Sequence, residues 1–302
     1  MTEKECLQCV LQGKIPEKVP HFELDFQISK EVFGTELPSV YKFSEEQVAP
    51  FRSAYLQGWE KIVDRYHWAA VPVNCDPMIP EMKRHFEDRA LIMCFNGDGV
   101  FWMPPGDKIM QFSIDLYEHP DELHELARKK CRDSIELAKQ QADMGADIIC
   151  LNSDFGFNDG PFISPQMFAE FVTPYLTEIV GAIHDLGLPA ILHSDGDLRK
   201  ILDQLVGSGI DGYQSVDPQG HMDIAQVKAQ YGDKLILMGN VMSSALQDTD
   251  PDQIRQCVQY AMENGMPGGK YIFSTSNCIF AGMPPESYHI MLAEYEKLAY
   301  YC

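Results

Sequence analysis

Eight short apolar or β-branched runs recur along the chain, most of them separated by stretches with helical periodicity. This alternation limits the fold more than any other feature. The runs occupy 19–26, 68–73, 91–95, 147–152, 190–193, 212–216, 235–238 and 271–274. Between them, Leu198, Ile201, Leu202, Leu205 and Val206 paint one helix face, and Ile254, Cys257, Val258, Ala261 and Met262 paint another. Asp250 is placed to cap that second helix, with Pro251 in its first turn and Gly265 as its stop. Ser164-Pro165 and Pro284-Pro285 mark two more helix starts. The pattern predicts an α/β fold, a single (β/α)8 TIM barrel in which residues 1–302 form one domain. The stretches 27–67 and 76–120 exceed ordinary barrel connections and are expected to be extra rim or lid segments. A doubly wound open sheet is the alternative, but no Gly-x-Gly-x-x-Gly follows any strand.

Charge narrows the partners. Forty-five acidic against 24 basic side chains leave a net charge of -21, which repels nucleic acids and anionic membranes. No apolar run approaches the roughly 18 residues of a membrane span. The nine cysteines are odd in number, and the charged opening Met-Thr-Glu-Lys-Glu-Cys leads into no apolar core. Reduced thiols and a cytoplasmic protein are expected. Cys6 and Cys9 lack a second pair at metal-binding spacing and read as the buried side of an opening helix.

Barrel chemistry lies at the C-terminal ends of the strands. Those ends carry Glu23 and Asp25, Asn74 and Asp76, Asn96 and Asp98, Asn152 and Asp154, His193 and Asp195, Gln214 and Asp217, Asn240, and Ser276 with Asn277. Asp98 and Asp217 read as turn and cap residues. Carboxylates and side-chain amides predominate in the rest, with no Lys or Arg among them. Such a ring suits a neutral, donor-rich heterocycle, because carboxylates accept from amino and ring N–H groups while amides serve either sense.

The segments Ala190-Ile-Leu-His193-Ser-Asp-Gly-Asp197, Gly207-Ser-Gly-Ile-Asp211, Tyr231-Gly-Asp-Lys-Leu235, Met238-Gly-Asn240-Val and Met283-Pro-Pro-Glu286 resemble the uroporphyrinogen decarboxylase superfamily. So does Asn152-Ser-Asp154-Phe-Gly-Phe-Asn-Asp-Gly-Pro161-Phe-Ile-Ser164-Pro165. The resemblance runs over nearly the whole chain and independently implies the barrel. The superfamily holds decarboxylases and corrinoid-dependent methyltransferases. The decarboxylases clamp a many-carboxylate tetrapyrrole with N-terminal arginines, whereas the first arginine here is Arg52. The thiol-methylating branch binds zinc through His-x-Cys and a later Cys. Here His193 matches the histidine, Asp195 replaces the first cysteine, and Asn277 stands for the last, with Cys278 one residue off.

The remaining branch is the methylcobalamin:tetrahydrofolate methyltransferases of glycine betaine demethylation, which resemble this chain in the His-Ser-Asp-Gly-Asp segment. That resemblance implies zinc-independent methyl transfer from a methylated corrinoid to N5 of tetrahydrofolate. His193 and Asp195 are then the catalytic candidates, one of them receiving the N5 proton. Asp154, Asn96, Asn240, Asn277, Asn152, Asp76 and Glu23 are the candidate pterin-binding residues, and no metal site is expected. The chain has no Asp-x-His-x-x-Gly corrinoid loop, so methylcobalamin or another methylcorrinoid should arrive on a separate corrinoid protein or as free cofactor. Phe101, Trp102, Met103, Pro104 and Pro105 are candidates for that docking surface or for lid core. A zinc-dependent thiol methyltransferase, a decarboxylase and a non-catalytic pterin or corrinoid-protein binder are the alternatives.

Overall fold

The computed structural model describes residues 1–97 and 99–301, so the expectation at Asp98 lies outside the described residues. Among the described residues nine strands are defined: β1 Ala70–Val73, β2 Leu91–Phe95, β3 Ile148–Asn152, β4 Gly156–Phe157, β5 Gly160–Pro161, β6 Ala190–His193, β7 Gly212–Gln214, β8 Ile236–Val241 and β9 Tyr271–Thr275. Seven of them form one parallel sheet in the order β1-β2-β3-β6-β7-β8-β9, and β4 with β5 makes a small antiparallel hairpin. Burial on both faces explains why these strands read as continuous apolar runs rather than alternating ones.

Seven of the eight expected strands therefore form as regular strands. The first run, 19–26, does not: it makes single parallel bridges, His21 to Phe273 and Phe26 to Ile279. It also links the two edges of the sheet, since the Pro20 carbonyl accepts from Phe273 N–H and the His21 carbonyl accepts from Ala69 N–H, both at 2.9 Å.

The expected helices also differ in extent. Asp250 caps Pro251–Gly265 through the N–H groups of Asp252 and Gln253, and Gly265 is that helix's last residue. Ser164 caps Pro165–Phe171 by accepting from Met167 N–H. The helix expected from Leu198 begins only at Leu202, because the preceding residues form turns that carry Asp197 back to the hairpin. Cys6 is buried on the helix Glu3–Leu11, and the described cysteines are all free thiols. No helix among the described residues is long and apolar enough to cross a membrane.

The rim is brought together by glycine. A Cβ on Gly196 would lie 2.4 Å from the Gly156 carbonyl, and one on Gly220 would lie 2.2 Å from the Gly196 carbonyl carbon. Only hydrogen at these positions lets the loops after β3, β6 and β7 stack backbone on backbone. That contact fixes where Asp154 and Asp195 emerge.

Candidate functional site

Parallel register sets the centre of the site. His193, last in β6, pairs with Asn152 of β3 on one side and Gln214 of β7 on the other. Its side chain is 7% exposed. Gln214 Oε1 can only accept, so the hydrogen bond between it and His193 Nδ1 places the ring proton on Nδ1. Gln214 is held in turn, since its Nε2 donates to the Thr275 carbonyl at 3.2 Å. Nε2 of His193 is therefore the presented atom. It lies 3.5 Å from Asp154 Oδ1 and 3.9 Å from Asp195 Oδ2.

Asp195 is anchored on both oxygens. Ser215 Oγ donates to Oδ1 at 2.6 Å, and Asn277 Nδ2 donates to Oδ2. Burial pushes its carboxyl above the ordinary carboxylate range, with Asp154 and Asp217 adding repulsion, while His193 and Ser215 pull the other way. Asp154 Oδ1 accepts the backbone N–H of Asp195 at 3.3 Å. One histidine nitrogen and two carboxylates lie within 4.8 Å of one another, a set able to hold either a proton or a divalent cation. Cys278 is not part of that group.

A cavity of about 250 Å³ opens beside this centre, lined by side chains from both sheet edges and the middle. Asp25, Asn74, Asp76, Asn152, His193 and Asn277 supply its polar wall, and Leu24, Phe95, Leu137 and Cys278 the apolar one. Lys42 is the single lysine or arginine among the described lining residues, and it sits with Tyr41 at the lip. Most of the wall groups have one polar atom committed elsewhere. Asn74 Oδ1 accepts from Tyr55, Asp76 Oδ1 accepts from Gln141, and Asn277 Nδ2 donates to Asp195. What they present is then an amide donor at Asn74, a carboxylate oxygen at Asp76 and an amide acceptor at Asn277.

The structure thus brings together His193, Asp195, Asp154, Asn152, Asp76 and Asn277, and leaves three candidates elsewhere. Asn96 is fully buried against the helix Pro120–Met144, where it donates to the Ser134 carbonyl and to Gln141 Oε1. Asn240 donates to the Val216 carbonyl and lines a different cavity of about 530 Å³, with Met222, Ile224, Met242, Cys257 and Tyr260. Glu23 is fully buried and accepts from Thr275, whose N–H and hydroxyl are 2.9 and 2.7 Å away. Strand ends alone cannot separate these cases, because consecutive residues point to opposite faces.

That same alternation leads one to expect Cys278 to point away from Asn277. It does not, since β9 ends at Thr275 and both residues belong to the loop beyond, where both reach the cavity wall. Asp217 is the cap it was expected to be, accepting from Gln219 and Gly196 N–H groups. Phe101 is buried against Phe112, Trp102 is 41% exposed, and Met103 N–H bonds the Asp154 carbonyl. Asn74, Asp25 and Gln214 were visible as polar strand ends, whereas Lys42, Ser215 and Gln141 carried no comparable sequence signal.

Comparison with known proteins bears on the family and the fold. A uroporphyrinogen decarboxylase family model matches residues 103–298. A uroporphyrinogen decarboxylase from Psychromonas ingrahamii is 25% identical over 184 residues, which is 60% of this chain and 49% of that protein. One from Vesicomyosocius okutanii is 24% identical over 221 residues, 71% of this chain and 61% of that one. The chain spans about half the length of such curated relatives. A methyltransferase from Methanosarcina mazei superposes with TM-score 0.78 over 98% of this chain and 99% of its own, at 16% identity, a likeness of fold. The family match, over more than half of the sequence, places the chain in the uroporphyrinogen decarboxylase family.

Proposed function

We propose that this protein moves a methyl group from a methylated corrinoid to N5 of tetrahydrofolate without zinc, as in glycine betaine demethylation. The observation that carries the reading is the presentation pattern of the small cavity. Asp76 and Asn277 offer acceptors and Asn74 a donor around a space of about 250 Å³. That is below the roughly 300–1,000 Å³ of drug-sized pockets and suits one bicyclic heterocycle with an amino group, a ring N–H and a carbonyl. As the N5–carbon bond forms, the carbon–cobalt bond breaks and leaves its electron pair on the corrinoid. The N5 proton must go to a base. His193 Nε2, its ring fixed by Gln214, is the receiving atom, and Asp154 and Asp195 stabilise the resulting imidazolium. The main acceleration comes from positioning. The corrinoid reaches the rim on a separate protein. This reading takes 19–26 as the eighth strand of a (β/α)8 barrel, which the bonds from Pro20 and His21 to both sheet edges support, and it takes residues 1–302 as one cytoplasmic domain.

The relatives' names suggest decarboxylation instead. A cavity this small, with one lysine at its lip and Arg52 tied to Glu45 and Glu81, is poorly suited to a tetrapyrrole with many carboxylates. A second reading is favoured by the grouping of Asp154, His193 and Asp195, in which a divalent cation there activates a thiol acceptor. One assay separates the readings. Loss of methylcob(III)alamin absorbance should be rapid with tetrahydrofolate, slow with coenzyme M, and unchanged by prior chelation. Rapid loss with the thiol alone, abolished by chelation, would establish the second reading, and no loss with any acceptor would leave a binder.

A further inference from the structure

The geometry points to Gln141 as a positioning residue that fixes which oxygen of Asp76 faces the ligand. Gln141 lies on Pro120–Met144, outside the cavity, and is fully buried. Its Nε2 makes two donations, to Asp76 Oδ1 and to the Phe95 carbonyl, each at 2.9 Å. Its Oε1 accepts from Asn96 Nδ2 at 3.3 Å, and Asn96 is held by the Ser134 carbonyl at 3.1 Å and by the Ser134 hydroxyl. The chain of donors runs one way. Ser134 O–H points to Asn96, the Asn96 amide points to Gln141, and the Gln141 amide points to Asp76. Each amide is thereby locked against flipping, because a flipped Gln141 would set its oxygen against the Asp76 carboxylate and the Phe95 carbonyl.

The consequence is specificity. Asp76 Oδ1 is engaged from behind, so Oδ2 meets the cavity as an acceptor only, ready for a ligand N–H. Asp76 is then the reader of a donor edge, and Gln141 acts through it. This rests on the heterocycle reading above and names the side chain that reads the amino and ring N–H edge.

The test is a double-mutant cycle on tetrahydrofolate binding, with one readout that needs no ligand. Gln141→Leu should weaken binding about tenfold in the presence of Asp76, the scale of one lost hydrogen bond to a charged group. It should add nothing in Asp76→Ala. Gln141→Glu should bind as weakly as Gln141→Leu when its new carboxyl is ionised. It should recover towards wild type at lower pH, because a protonated glutamic acid again offers an O–H to Asp76; Gln141→Leu should not recover. A merely structural role would give additive losses and no pH rescue, which would overturn the proposal. Without ligand, the Gln141 side-chain amide resonance should move in Asp76→Ala, and an unmoved resonance would also overturn it. A resonance that moves in a protein that does not bind tetrahydrofolate would support the relay and remove the pterin reading instead.

Discussion

Among the described residues two buried histidines face carboxylates, and the same residue types come to opposite ends. At the mouth, His193 has one nitrogen fixed by Gln214 and the other facing Asp154 and Asp195 beside an open cavity. Near the first strand-like segment, His21 Nε2 lies 3.4 Å from Glu23 Oε1, sealed by Trp68, Phe273, Tyr288 and Tyr295. There the polar atoms are poorly used: His21 Nδ1 and Glu23 Oε1 have no hydrogen-bond partner. A histidine beside a carboxylate becomes a working site only where a neighbour fixes its tautomer and a ligand can reach it. Sealed away, the pair becomes a term in stability.

The largest expected effect breaks the comparison if it is wrong. His193→Gln should lower methyl transfer by roughly 10²- to 10⁴-fold, the usual worth of a positioned acid or base. Its thermal midpoint should stay near wild type. Turnover measured beside calorimetry decides this, and a protein that loses stability but keeps its rate per folded molecule would put His193 in the same class as His21.

Asp195 should come next. Asp195→Ala should cost ~1.5–3 kcal/mol in acceptor binding or turnover, since it removes a charged partner of Asn277 and Ser215 as well as of His193. Because burial raises its carboxyl, the Asp195 side-chain resonance should titrate above the ~3.9 of a free aspartate. Asp195→Asn should remove that step. A step that persists in the variant belongs to another group.

These two residues were legible because a strand-ending His-Ser-Asp is unusual among turn formers. The limits of the sequence were equally physical. Asn96 and Asn240 end strands just as Asn152 does, but they turn to the helix Pro120–Met144 and to the Val216 carbonyl. Which face a strand-end side chain takes depends on register, and register is a property of pairs of strands. Gln141 left a faint trace: with Ser134 it interrupts the stripe of Leu123, Ala127, Cys131 and Ala138 on the buried face of its helix. Polar residues on a buried stripe must bond to something, but the sequence does not say to what. The alternating apolar runs, by contrast, placed seven strands, because burial on both faces leaves few other readings.

The third expectation returns to the sealed pair. His21→Gln should leave turnover unchanged and cost ~1–3 kcal/mol of stability, because its ring fills an aromatic cluster and contacts the Tyr288 hydroxyl at 3.3 Å. Urea unfolding beside the methyl-transfer assay reads both. A fall in rate with stability intact would mean that the interior pair communicates with the mouth.

The smallest effect is a change of slope. Burial raises Glu23 to about 8, against the pull of its two bonds from Thr275, and burial lowers His21 to about 3, with Lys18 adding repulsion. An unfolded chain would titrate them near ~4.3 and ~6.5. Above ~4.3 the unfolded Glu23 releases a proton that the folded one keeps, so stability falls as pH rises until about 8. Below ~6.5 the unfolded His21 takes up a proton that the folded one refuses, so stability falls as pH drops towards about 3. Between ~4.3 and ~6.5 the two slopes cancel, and the pair contributes a plateau. Moving the shared proton from Glu23 to His21 changes nothing in this count, because the pair binds one proton either way. From ~6.5 to about 8 only Glu23 acts, with a slope of at most ~1.4 kcal/mol per pH unit. Glu23→Gln cannot ionise, so it should flatten that alkaline fall and, with nothing left to cancel the His21 slope, turn the plateau into an acidic fall below ~6.5, as urea midpoints at pH 5.5, 7 and 8.5 would show. Parallel curves for the two proteins across that range would mean that folded Glu23 gives up its proton as readily as the unfolded chain does, so that the pair keeps none.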